Sequence, residues 1–151
     1  MNLNLVVNTM IDEMRLRLGI DGKKEIKKWV NEKSEQGHTA LHYASYRGNV
    51  EVVDKLIENG AEVEVVNNRG LNVLHMAAQG NQPATLVYFK EKYFMNIMSV
   101  DDLGSTPLHW ACYTGCDNSV LFLLSWNPDV NAQDREGLTP LHLAVMSGKN
   151  N

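Results

Sequence analysis

The dipeptide Leu-His occurs four times, at Leu41-His42, Leu74-His75, Leu108-His109 and Leu141-His142, with the histidines 33, 34 and 33 residues apart. Each pair lies four residues after a glycine (Gly37, Gly70, Gly104, Gly137), and one variable residue after it stands an alanine (Ala44, Ala77, Ala111, Ala144). The four boxes read GHTALHYA, GLNVLHMA, GSTPLHWA and GLTPLHLA. Recurrence in one register means that one supersecondary unit is repeated. A unit this small cannot bury its apolar face alone and must stack on its neighbours. The spacing thus constrains the chain to a stacked array.

The box has a direct physical reading. Each glycine follows polar residues and suits a tight turn requiring φ > 0. Thr39, Asn72, Thr106 and Thr139 are good N-caps, and Pro107 and Pro140 fall at the first helical position, where a missing N–H costs nothing. Leucine and alanine three apart then give one apolar face of a short helix. A second helix follows in each unit. In the first it spans Val50 to Glu58, with Val52, Val53, Leu56 and Ile57 apolar, and stops at Asn59-Gly60. In the third it runs from about Asn118 to Trp126, with Val120, Leu121, Leu123 and Leu124 apolar, and Asn127 replaces the stop glycine. Residues 61–68 and 129–137 read as extended arms with a turn at the tip. The second unit is irregular: Gln79-Gly80-Asn81-Gln82-Pro83 precedes a helix through Leu86, Tyr88, Phe89 and Tyr93. That helix lacks a stop glycine, and one extra residue lies before Gly104.

The box resembles that of the ankyrin family, whose Gly-x-Thr-Pro-Leu-His-x-Ala pattern stands almost letter for letter at Gly104 to Ala111 and Gly137 to Ala144. The resemblance covers roughly residues 34–148. It implies an all-α ankyrin-repeat solenoid of helix-turn-helix units with β-hairpin-like arms. The expected units are N-terminal capping helices at 1–33, repeat 1 at 34–66, an irregular repeat 2 at 67–100, repeat 3 at 101–133 and a truncated repeat 4 at 134–151. Within the cap, residues 5–18 place Val7, Met10, Ile11, Met14 and Leu18 at helical spacing. Lys23 to Asn31 reads as a second helix burying Ile26, Trp29 and Val30. A cap shielding the first repeat is favoured over a membrane-surface helix, because acidic residues mix with the basic ones. The fourth unit stops after its first helix, at Ser147-Gly148-Lys149-Asn150-Asn151, so the chain is expected to be a fragment of a longer protein.

A net charge of -4 argues against nucleic acid as partner and against a polybasic membrane anchor. No apolar run reaches the roughly 18 residues needed to cross a bilayer, so direct membrane insertion by this segment is not expected. Two cysteines, Cys112 and Cys116, point to a reducing, cytoplasmic compartment.

Catalytic chemistry finds no foothold. Four of the five histidines are box residues, recurring without a repeating nucleophile or base partner, and each is expected to tie turn to helix and to the adjacent repeat. His109, Cys112 and Cys116 stand at i, i+3, i+7, a spacing open to a soft metal. Against that, His109 is committed to its box and Gly115 should end the helix first, so two packed free thiols are the preferred reading. Asp101-Asp102 reads as a solvated turn and Asp12-Glu13 as a surface pair. No phosphate loop or nucleophile elbow is present, so no cofactor, metal or catalytic residue is expected.

Stacked repeats bind proteins or linear peptides on extended surfaces, here a concave face of arm tips and first helices. Binding positions are those that vary where the scaffold repeats. At the tips these are Glu35/Gln36/His38, Asn68/Arg69/Leu71, Asp102/Leu103/Ser105 and Arg135/Glu136/Leu138. Along the first helices an inner row holds Tyr43, Met76, Trp110 and Leu143, and an outer row Tyr46, Gln79, Tyr113 and Met146. Of these, Tyr46, Gln79, Trp110, Tyr113, Met146, Arg69, Asp102, Leu103 and Arg135 form the candidate protein-binding set, with aromatic anchors at its centre. The inner row could instead pack repeat on repeat.

A second resemblance is sharper. GSTPLHWACYTG, FLLSWNPDVNAQDREGLTPLHLAVMSG and MAAQGNQPATLVYFKEK are similar to the ankyrin part of DHHC-type palmitoyltransferases. In that family the repeats precede transmembrane helices and an Asp-His-His-Cys segment, and recruit substrate proteins. The resemblance implies a peptide-clamping role for Trp110, and a setting on the cytoplasmic side of an internal membrane through a C-terminal part not among these residues. The family's partner to that tryptophan is an asparagine ending the preceding first helix; here that place is Gly80 or Asn81. The alternatives are a soluble ankyrin scaffold or inhibitor in signalling and, third, a metal or thiol site at Cys112 and Cys116.

Overall fold

The computed structural model describes residues 2–19 and 22–148. Residues 1, 20 and 21 of the expected cap and 149–151 of the expected fourth repeat lie outside them. Among the described residues the regular structure is all helical: α1 (Leu3–Leu18), α2 (Lys23–Val30), α3 (Ala40–Arg47), α4 (Val50–Glu58), α5 (Val73–Gln79), α6 (Pro83–Tyr93), α7 (Pro107–Thr114), α8 (Asp117–Ser125) and α9 (Pro140–Met146). The first helices α3, α5, α7 and α9 pack side by side in one row, and α4, α6 and α8 each pair with the first helix of their own unit. This is the expected solenoid.

Each box helix starts in the same way. Thr106 is extended (φ -82°, ψ 168°), and its hydroxyl accepts from the N–H of His109. His109 Nδ1 in turn accepts from the N–H of Thr106 at 3.1 Å. Two orphan donors are thereby satisfied reciprocally, a capping box with histidine in place of the usual Glu or Gln. Because Nδ1 accepts, Nε2 carries the proton. It donates across the joint to the carbonyl of the next unit: His42 to Leu71 (3.0 Å), His75 to Ser105 (3.0 Å) and His109 to Leu138 (3.1 Å). The histidines therefore cap one helix and tie it to the next unit, as the sequence suggests. Thr106→Ala removes one half of such a box and is expected to cost about 1 kcal/mol, read as a lower urea midpoint; an unchanged midpoint would show that the cap contributes nothing.

The core follows the repeat. Box leucines Leu41, Leu74 and Leu108 are buried, as are Ala77 and Ala111, and the second helices contribute Val53, Leu56, Leu86, Phe89 and Leu123. On α8 only part of the expected apolar face is covered: Leu123 is buried and Val120 packs partly, while Leu121 and Leu124 are exposed.

The left-handed residues place the extra residue of repeat 2. Gly48 and Gly115 end their first helices with positive φ, and Asn81 (φ 56°) takes that role in repeat 2. The second helices lead to Gly60, Phe94 (φ 53°) and Asn127 (φ 52°). The interval is one residue longer from Asn81 to Phe94 than in the other two units, so the insertion lengthens α6, and Phe94 serves where a stop glycine was missing. Just before Asn81, Gly80 is required by close approach: a Cβ there would lie 1.9 Å from the Tyr46 carbonyl oxygen.

At the N-terminal end α1 packs against α2 and α4. Ile11 is buried, Val7 and Leu18 press on the core, and Arg15 donates to Asn59 Oδ1 at 2.7 Å. Ile26 and Val30 are buried as expected, but Trp29 is only half-buried. Met10, placed on the apolar face by its spacing, is half-exposed. The reason is geometric: Met10 and Trp29 line an apolar hollow of about 610 Å³ between α1 and the first repeat.

Candidate recognition surface

The arm tips are built by one device. Asp101 Oδ1 accepts from the N–H groups of Leu103 (2.9 Å) and Ser105 (2.8 Å), Asp134 Oδ1 from Glu136 (2.9 Å) and Leu138 (2.9 Å), and Asn67 Oδ1 from Arg69 (2.9 Å) and Leu71 (3.0 Å). These are Asx turns, in which a short side chain satisfies backbone donors that would otherwise be orphaned. Successive tips are then laced: Asn68 N–H donates to the Gln36 carbonyl, Asp102 to Arg69 and Arg135 to Leu103, at 2.9–3.0 Å. The expected β-hairpin-like character amounts to these bonds and to one across each arm, such as Asp101 N–H to the Ser105 carbonyl at 3.1 Å. No strand is formed among the described residues.

The reading of Asp101 as a solvated turn residue is corrected here. Asp101 is 5% exposed. Its Oδ2 accepts from the Trp110 indole Nε1–H at 2.8 Å, which fixes the ring. The Arg69 guanidinium from the preceding arm lies 5.3 Å from the Trp110 ring centroid, within cation–π range. Tyr113 meets Trp110 edge-on at 5.9 Å.

Trp110 and Arg69 form a ledge between two hollows. One, of about 400 Å³, is lined by Leu103, Tyr113, Leu138, Leu143 and Met146, with Arg135, Asp134 and Glu136 at its rim. The other, of about 430 Å³, is more polar and is lined by Glu35, Gln36, His38, Asn67, Asn68, Met76 and Gln79. Seven of the nine candidate residues border one or both: Gln79, Trp110, Tyr113, Met146, Arg69, Leu103 and Arg135. Tyr46 and Asp102 do not. Tyr46 is exposed on α3 with its carbonyl turned to Gly80, and Asp102 is held at its tip by its own N–H. The inner row divides, with Met76 buried, Tyr43 half-exposed, and Trp110 and Leu143 between them.

Neither Gly80 nor Asn81 borders the ledge. Asn81 is turned away, its Oδ1 accepting from the Ser119 N–H at 3.0 Å and so capping α8. The side-chain amide that α5 brings to the same hollow as Trp110 is that of Gln79.

The thiols form no ligand set. α7 ends at Gly115 (φ 69°), so His109, Cys112 and Cys116 do not share one helix face; Cys116 is the N-cap of α8. Its Sγ lies 3.2 Å from the Gln79 carbonyl oxygen, and both ring nitrogens of His109 are engaged. Burial pushes the Cys112 thiol up, away from the reactive thiolate. Among the described residues no group of three or more His, Cys, Asp or Glu is arranged to hold a metal ion.

The stacked helix pairs and laced tips define a repeat protein, and comparison with known families agrees. "Ankyrin repeats (3 copies)" matches residues 59–134 and 92–151, and "Ankyrin repeat" matches residues 36–68. The chain belongs to the ankyrin-repeat family. It is 36% identical over 118 residues to palmitoyltransferase AKR1 of Lachancea kluyveri, covering 76% of this chain and 16% of that protein. It is 34% identical over 103 residues to ZDHHC13 of Danio rerio, covering 68% of this chain and 16% of that protein. It is also 30% identical over 128 residues to transient receptor potential cation channel subfamily A member 1 of Homo sapiens, covering 81% of this chain and 11% of that protein. The chain thus spans only a small part of each relative's length. No described helix is long and apolar enough to cross a membrane.

Proposed function

We propose that this chain is the substrate-recruiting ankyrin module of a membrane palmitoyltransferase and takes a linear peptide or an exposed loop of another protein across the Trp110 ledge. The observation that carries the reading is the ledge itself. A half-buried tryptophan, held from below by Asp101 and from one face by Arg69, separates an apolar hollow from a polar one. Rigid aromatic side chains in such a place bury large area at little entropic cost. The palmitoyltransferase relatives supply the context, and in this reading the module acts on the cytoplasmic side of the membrane without catalytic residues of its own.

The channel relative gives a second reading. Its match covers more of this chain than either enzyme's, so the same surface could serve as a docking module in a different membrane protein or in a soluble scaffold. Affinity capture from lysate separates the cases. The wild-type chain should enrich proteins carrying S-acylated cysteines, and Trp110→Ala and Tyr113→Ala should lose most of them. Enrichment without S-acylated proteins would favour the second reading, and equal recovery by all three chains would remove the ledge from the site.

A further inference from the structure

We propose that Asp101 is the positioning residue of the recognition ledge, a role that rests on the reading of Trp110 as the peptide anchor. One carboxylate makes two sets of bonds at right places in the repeat. Oδ1 holds the arm tip through the N–H groups of Leu103 and Ser105, and Oδ2 holds the indole N–H of Trp110, nine residues on. The tip of repeat 3 and the anchor on α7 are therefore locked together through a single buried side chain.

Comparison with the neighbouring arms isolates the second task. Asn67 and Asp134 build their tips with the same Oδ1 geometry. The residues in register with Trp110 beside them are Met76 and Leu143, whose side chains have no N–H to offer. Tip construction accepts either an amide or a carboxylate, as Asn67 shows. Holding an indole N–H with the remaining atom needs a carboxylate, because the amide nitrogen of asparagine cannot accept. Repeat 3 carries the aspartate and the tryptophan together. The consequence for recognition is specific: indole has a single donor, and here it is used internally. Trp110 thus offers a partner its ring surface and edge and no hydrogen bond, with Arg69 already on the ring.

The test uses Asp101→Asn, which keeps the tip acceptor and loses the indole acceptor, with Asp134→Asn as the control for tip chemistry alone. The probe is a fluorescein-labelled peptide selected on the wild-type chain from a phage-displayed random library. Asp101→Asn is expected to shift the Trp110 Nε1–H resonance in a ¹H–¹⁵N spectrum, assigned with Trp110→Phe, and to weaken peptide binding roughly tenfold. Asp134→Asn should leave that resonance unmoved. On a Trp110→Phe background, where no N–H remains to be held, Asp101→Asn should add little, the signature of a coupled pair. This cycle also reads the coupling if the single change lowers stability. An unmoved indole resonance, or full affinity in Asp101→Asn while Trp110→Ala abolishes binding, overturns the positioning role and leaves the ledge as the site. Unchanged affinity in Trp110→Ala overturns both.

Discussion

Leu108→Ala is expected to lower the unfolding free energy by about 2–5 kcal/mol, whereas Leu141→Ala, the same letter of the same motif, is expected to change it by less than about 0.5 kcal/mol. Leu108 is 4% exposed, between α5 and α9 on either side of α7. Truncating it removes buried methyl groups and leaves a cavity in the core that it shares with Leu74 and Ala111. Leu141 is 73% exposed, so truncation takes away little that was hidden from water. Urea-induced unfolding of the two variants beside wild type checks this. Equal losses would mean that the motif, and not burial against a neighbour, sets the contribution.

The second large effect is acid-induced. The buried His42 imidazole is pushed down to about 4 and His75 is lowered too, in both cases chiefly because burial disfavours the charged form. The folded chain holds these rings neutral, whereas the unfolded chain protonates them near the ordinary value of about 6.5. Their contribution is therefore fully present above about pH 6.5 and is lost as pH falls below it, for His42 down toward about 4. The structural cause is visible: a protonated Nδ1 could no longer accept from the Thr39 or Asn72 N–H, so each capping box would lose one of its two bonds. Asp54, held below the usual carboxylate range by Lys92 and Tyr88, keeps its own contribution above that range and loses it only as pH falls through it. Thermal midpoints measured between pH 7 and 4.5 should fall steadily. A flat profile across that interval would contradict neutral buried rings.

Much of the scaffold could be read from letters alone, because a stacked array repeats its solution. The Leu-His spacing located the row of first helices, the Thr and Asn caps marked their starts, and Asn59-Gly60 marked the end of α4 to the residue. What escaped was decided by neighbours. Asp101 beside Asp102 reads as a wet turn until Trp110 is seen to close over it, although its register with Asn67 and Asp134, each three residues before a glycine, was a usable signal. Tyr43, Met76 and Trp110 share one row, yet their burial differs, because the residues packed around each differ. The extra residue of repeat 2 could not be placed until Asn81 and Phe94 proved to be left-handed: neither is a glycine, so the sequence carried no punctuation there.

The ledge also straddles a seam. Arg69 is delivered by one unit, and Trp110 and Asp101 by the next. An occupant touching both sides acts as a splint. Gripping it tightens the joint between two units already held by packing, by the bond between their tips and by side-chain bonds such as His75 to the Ser105 carbonyl, and the free energy of capture is shared with the cohesion of the array. Recognition at this point and resistance to local unravelling of repeats 2 and 3 are therefore two readings of one quantity.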